Sequence, residues 1–137
     1  ADVKYKIMGF QVLGQVGFGS IGGSFFDNTL KIDGRNMLGY MGEAAYFFQD
    51  LAGAGSQLAP FFRYENINLD IDPAAAGAPD VGEQVLTGGL AFYPNPNLAL
   101  KVDVENWISQ NPNAYTAKSG DKGDTKTVIN LGFGVMY

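Results

Sequence analysis

Leu98-Ala-Leu-Lys-Val-Asp-Val-Glu-Asn-Trp107 alternates greasy and ionised side chains residue by residue. Leu98, Leu100, Val102 and Val104 share one phase, and Lys101, Asp103 and Glu105 the other. Side chains of a strand point alternately to its two faces, so a period of two predicts a β-strand with one apolar and one wetted face. A helix would need apolar residues every three or four positions, and this stretch has no such pattern.

The same period runs outward from there. Residues 127–137 place Ile129, Leu131, Phe133, Val135 and Tyr137 on one face, against Val128, Asn130, Gly132, Gly134 and Met136. In residues 85–93 the apolar face is Leu86, Gly88, Leu90 and Phe92. Residues 58–67 set Phe62 and Tyr64 against Phe61, Arg63 and Glu65. Residues 37–49 set Leu38, Tyr40, Ala44, Tyr46 and Phe48 against Glu43. A first strand over residues 4–20 sets Phe10, Val12, Val16 and Phe18 against Gln11 and Gln15. Lys4 and Lys6 fall in its apolar phase, so they are expected to lie beyond the apolar band or to mark a bulge.

Six strands follow, with connections that alternate in length. Ile21–Asn36, Asn68–Gln84 and Ile108–Lys126 are long, whereas Asp50–Gln57 and Pro94-Asn-Pro-Asn97 are short. Short turns at one end of a sheet and long loops at the other mark a bacterial outer-membrane barrel. Aromatics near strand ends (Tyr40, Phe48, Tyr64, Phe92, Tyr93, Trp107 and Tyr137) suit the interfacial girdles of such barrels. The opposite faces carry Glu43, Arg63, Glu65, Lys101, Asp103 and Glu105 in mid-strand. A dry core would hold so many charges only at a large desolvation cost, whereas a water-filled lumen holds them easily.

Composition narrows the function classes. The chain has 137 residues, 19 of them Gly, with no Cys and no His. Charged residues make up 17%, below the roughly 25% of ordinary soluble domains. Missing Cys and His exclude disulfide frameworks, thiolate or imidazole metal sites, thiol nucleophiles and Ser–His–Asp catalysis. A net charge of −5 and a pI of about 4.4 argue against nucleic acid as a partner. No segment carries the roughly 18 unbroken apolar residues of a membrane-spanning helix. The start, Ala1-Asp2-Val3, lacks a charged region followed by an apolar one, so a signal peptide is absent or already removed.

Taken in order, Gly39-Tyr-Met-Gly-Glu-Ala-Ala-Tyr46, Ala59-Pro-Phe-Phe-Arg-Tyr-Glu65, Leu86-Thr-Gly-Gly-Leu-Ala-Phe-Tyr-Pro-Asn-Pro-Asn97, Leu100-Lys-Val-Asp103 and Asn130-Leu-Gly-Phe-Gly-Val-Met-Tyr137 carry a resemblance. The succession resembles the C-terminal part of Gram-negative outer-membrane porins of the phosphate-selective porin O/P family, over residues 8–137. The resemblance implies a trimeric barrel of about sixteen strands with a constriction facing its lumen. It also implies that the terminal stretch, Phe133, Val135 and above all Tyr137, acts as the signal read by the barrel-assembly machinery. Phosphate selectivity does not carry over, because this face has charges of both signs.

Six strands are fewer than the roughly eight of the smallest single-chain barrels. The chain is therefore expected to be completed, as a C-terminal fragment of a larger porin, one half of a split barrel, or one of several copies building one tube.

Four other constellations have weaker chemistry. Gly17-Phe-Gly-Ser-Ile-Gly22 matches a dinucleotide fingerprint, yet no amphipathic helix follows to hold a pyrophosphate. Asp70-Ile-Asp72 with Asp80 and Glu83 could offer oxygens to Ca²⁺, but Ala75 and Val81 stand where a calcium loop needs Gly and Glu. Asp103, Glu105, Glu43 and Glu65 could be imagined as glycosidase carboxylates; a hydrated lining is the simpler account. Lys118, Asp121, Lys122, Asp124 and Lys126 read as a solvated loop tip.

The expectation is thus an all-β, antiparallel transmembrane barrel segment, one domain over residues 1–137, with no enzyme activity and no cofactor. It would lie in a bacterial outer membrane among lipid and lipopolysaccharide, with long loops outside, the C-terminus periplasmic, and three copies in its assembly. Gln11, Gln15, Glu43, Arg63, Glu65, Lys101, Asp103 and Glu105 would line a passive diffusion channel. Two other functions compete. One is a sheath around a partner protein. The other is a soluble barrel for a small apolar ligand, which requires Phe10, Val12, Leu100, Val102 and Phe133 inside.

Overall fold

Alternation of β-branched, leucine and aromatic residues with polar ones fits a pleated surface wet on one side, and every such run forms a strand. The computed structural model describes residues 1–21, 35–53, 55–68, 82–109 and 124–135. They form β1 (Asp2–Ile7), β2 (Phe10–Ile21), β3 (Arg35–Tyr46), β4 (Phe48–Gln49), β5 (Gln57–Asn68), β6 (Gly82–Asn95), β7 (Leu98–Ser109) and β8 (Asp124–Val135). One antiparallel sheet holds all eight, in the order β1-β2-β3-β5-β6-β7-β8, with β4 pairing β5 beyond the end of β3.

Two expected strands are divided. Residues 4–20 are not one strand but the hairpin β1–β2, turned by Met8 (φ 48°) and Gly9 (φ 84°). Two successive positive φ angles make the tight turn whose twist matches flanking antiparallel strands. This corrects the expected bulge. The reversal places Lys4 opposite Leu13 and Lys6 opposite Gln11, on the polar face, while Val3, Tyr5 and Ile7 join Gly14, Val12 and Phe10 on the other. Residues 37–49 form β3 and β4 in one continuous register, interrupted where the Phe47 N–H turns away to donate to Gly9 O at 2.8 Å. β5, β6 and β8 begin one to three residues before the expected starts, β7 begins where expected, and β5, β6 and β7 run past the expected ends.

The tight connections share one end of the sheet. Besides Met8-Gly9 there is Asp50–Ser56, where Asp50 Oδ1 accepts from Gly55 N–H and Ser56 Oγ from Ala52 N–H, each at 2.9 Å. At the third, Asn95 Oδ1 accepts from Asn97 N–H at 2.9 Å. Val135 ends opposite Leu98, at that same end. At the other end the strands run out at Ile21 and Arg35, Asn68 and Gly82, and Ser109 and Asp124. Of the three expected long connections, residues 22–34, 69–81 and 110–123 lie outside the described residues, as do Asp70, Asp72, Asp80, Lys118, Asp121, Lys122 and Tyr137, whereas Glu83 belongs to β6, and Asp124 and Lys126 belong to β8 and not to a loop.

Which face is enclosed is the decisive feature. Strand side chains that are buried, Ala45, Ala59, Val85, Thr87, Asp103 and Ser109, all belong to the polar face. Apolar residues of the other face stand open: Val102 is 40% exposed, Ile129 72% and Phe133 83%. Phe10, Val12 and Leu100 are exposed with them, so the packing that a soluble apolar-ligand barrel requires is not met. The sheet is also open. β1 and β8 do not pair, and the six antiparallel steps between them leave both edge strands running in the same direction.

Candidate functional site

Register builds the site strand by strand, because residues directly opposite each other in an antiparallel pair share a face. One row crosses the whole sheet: Lys4, Leu13, Glu43, Arg63, Thr87, Glu105 and Val128. On one side of it run Gln15, Met41, Glu65, Val85 and Trp107; on the other Gln11, Ala45, Phe61, Gly89 and Asp103. Lys101 follows in the next row, opposite Ala91. All eight residues expected to line a channel therefore lie on the single enclosed face.

Within it, two ion pairs run along strands rather than between them. Arg63 Nε lies 3.1 Å from Glu65 Oε2, and Lys101 Nζ 2.9 Å from Asp103 Oδ2. Residues i and i+2 of a strand share a face, which is why each pair can meet. The Arg63 contact is an ion pair without hydrogen-bond geometry, since its Nε has no acceptor properly aligned. Asp103 is held better. Its side chain is 4% exposed, and its second oxygen accepts from Asn130 Nδ2 at 2.9 Å, which ties β7 to β8. Trp107 Nε1 donates to Glu105 Oε2 at 3.0 Å. Glu43 stands opposite Arg63 in register, and Gln11 and Gln15 belong to the neighbouring rows of β2.

The structure adds residues that the sequence reading left out. Lys4 and Lys6 reach this face through the hairpin. Thr87 lies between Arg63 and Glu105, fully buried, with no partner for its Oγ1. Tyr93 and Trp107 also belong here, opposite Gln57 and Val85, and not to the apolar girdle where they were expected. The signal was available within each strand: Tyr93 is out of phase with Leu86, Leu90 and Phe92, and Trp107 is in phase with Lys101, Asp103 and Glu105. Tyr40, Tyr46, Phe48, Phe62, Tyr64 and Phe92 are on the apolar face. Phe133 and Val135 point from its last strand, both exposed.

Chemically this surface offers ammonium, guanidinium, carboxylate and amide groups in alternation, without a convergent nucleophile. Among the described residues no group of His, Cys, Asp and Glu could hold a metal ion. Gly17 and Gly19 are interior to β2, and no helix starts at them to receive a phosphate. No helix among the described residues is long and apolar enough to cross a membrane, which says nothing of crossing by strands. No protein-family model, curated protein or solved structure matches the chain.

Proposed function

We propose that the chain forms part of the wall of an outer-membrane β-barrel that lets small hydrophilic solutes or ions diffuse passively, without catalysis. One observation carries this reading: apolar stripes stand exposed on one face, while the buried strand side chains, Asp103 among them, all lie on the face that carries the charges. In water that arrangement is costly, since every exposed leucine, valine or phenylalanine forgoes burial. In a bilayer it is the expected one, with hydrocarbon outside and solvent within. Tight turns at one end support a periplasmic side there, with Val135 on it and the long connections outside the cell.

The open edges demand completion. Unpaired N–H and C=O groups along β8 and the outer part of β2 would each cost several kcal/mol in hydrocarbon. Strand direction restricts what completes the wall. Because β1 and β8 run the same way, copies of this chain joined edge to edge would meet in parallel seams. An all-antiparallel barrel with an even strand count needs an odd number of further strands. They would come from the same precursor or from another chain, and the resemblance to phosphate-selective porins supports a homotrimer of such barrels in lipid and lipopolysaccharide.

Planar bilayers test the reading. The complete barrel, purified from outer membranes, is expected to insert with stepwise increases in conductance. A membrane that stays electrically silent while the protein is folded and inserted would refute the channel and leave a sheath around a partner protein.

A further inference from the structure

Three rings break the polar character of the enclosed face near its tight-turn end: Phe47 between β3 and β4, Phe61 on β5 and Tyr93 on β6. Their spacing leaves a hollow. Ala45, Ala59 and Ala91 lie among them and, having only methyl groups, leave a cavity of about 140 Å³. Phe47 and Tyr93 stack across the intervening strand, with centroids 6.3 Å apart and planes 29° from parallel. Lysines flank the rings: Lys6 Nζ is 4.6 Å from the Phe47 centroid and Lys101 Nζ 4.7 Å from that of Phe61. Glu43 and Gln11 complete the rim.

Charge selects among occupants. The rim carries Lys101, which Asp103 answers at 2.9 Å, and Glu43, so charges of both signs face the hollow. An anion entering it would meet Glu43, and a cation would meet the Lys101 ammonium. A purely apolar molecule would strip water from Lys101, Glu43 and Gln11 and return no hydrogen bonds. What satisfies all of them is a neutral ring with C–H faces for the aromatic walls and hydroxyls that both donate and accept. Small polar-rimmed, aromatic-walled hollows of this kind are where small-molecule recognition concentrates.

We infer that this hollow is a subsite for a neutral monosaccharide unit on the wall of the proposed channel. The inference rests on the channel reading and gives it a solute class: uncharged pyranoses, held transiently by Phe47, Phe61 and Tyr93 and oriented by Lys101, Glu43 and Gln11. Binding there would concentrate sugar at the tight-turn mouth.

D-glucose is the probe, applied to the complete barrel in a planar bilayer. Brief current interruptions are expected, their frequency saturating with concentration. Phe61→Ala and Tyr93→Leu should each raise the half-saturating concentration about tenfold, read on the channels that open. Tyr93→Phe, which keeps the ring, should change it less than threefold. A strictly linear fall in current, identical in wild type and Phe61→Ala, overturns the site, as does tighter block by glucuronate or inorganic phosphate. Saturation-transfer NMR of glucose with the protein in detergent micelles reads binding with no current involved. A ring-dependent signal from a protein that never conducts keeps the sugar site and removes the channel; open channels with no glucose signal do the reverse.

Discussion

Gly88 and Gly89 are neighbours on β6 that point to opposite faces, and a methyl group added at each would meet different surroundings. At Gly88 it would find nothing within 4 Å. At Gly89 it would stand 2.6 Å from both Asp103 Cβ and Val102 O, and 2.7 Å from the Phe61 ring. Val102 and Asp103 on β7 repeat the contrast, with the valine 40% exposed and the carboxylate 4%. The lesson concerns solvent. The face that sequence hydropathy would bury in a soluble protein is the open one here, and the face carrying charge is where chains crowd. Enclosure on this sheet follows packing across strands, and the apolar side stays open.

The contrast can be broken most severely from the apolar side. Val102→Arg puts a charge in the middle of the exposed stripe, between Leu90 and Leu131 in register. In a bilayer it should cost about 2–4 kcal/mol of stability. Urea unfolding of the complete barrel in phospholipid vesicles measures this; a loss within error would mean that Val102 faces water.

Gly89→Ala comes next. Two of the three atoms in its way are backbone or a Cβ, which move only with the strands, so overpacking of about 1–3 kcal/mol is expected. Gly88→Ala should instead be neutral or gain about 0.5–1 kcal/mol from lost unfolded-state freedom. Equal effects of the two alanines in the same unfolding assay would erase the difference between the faces.

The smallest effect is expected at Thr87, whose buried hydroxyl has no protein partner. Thr87→Val preserves shape and removes the unsatisfied oxygen, so stability should be unchanged or rise by about 1 kcal/mol. A clear loss in thermal unfolding would show that water satisfies Oγ1, which would mark this face as wetted.

Much of the polar face was legible from residue parity alone. Glu43, Arg63, Glu65, Lys101, Asp103 and Glu105 alternate strictly with apolar residues, and within one strand parity is face. Parity also covered Tyr93 and Trp107, although aromatics at strand ends suit an interfacial girdle as well. Lys4 and Lys6 were illegible for another reason. Their face depends on a turn at Met8-Gly9, and Met is not a residue that announces a positive φ. Asn130 was readable as polar-facing, yet not as the partner of Asp103, because nothing within β8 encodes which residue of β7 stands opposite.

Sequence by itself determined the period of two, the class of sheet and the chemical character of each face, because these depend on neighbours within one strand. Only the tertiary structure decided that β1 and β2 are separate strands, that Phe47, Phe61 and Tyr93 surround one hollow, and that the ionised face is the enclosed one. Those outcomes turn on register and curvature, which are set by hydrogen bonds between residues far apart in the chain and by the crowding they impose.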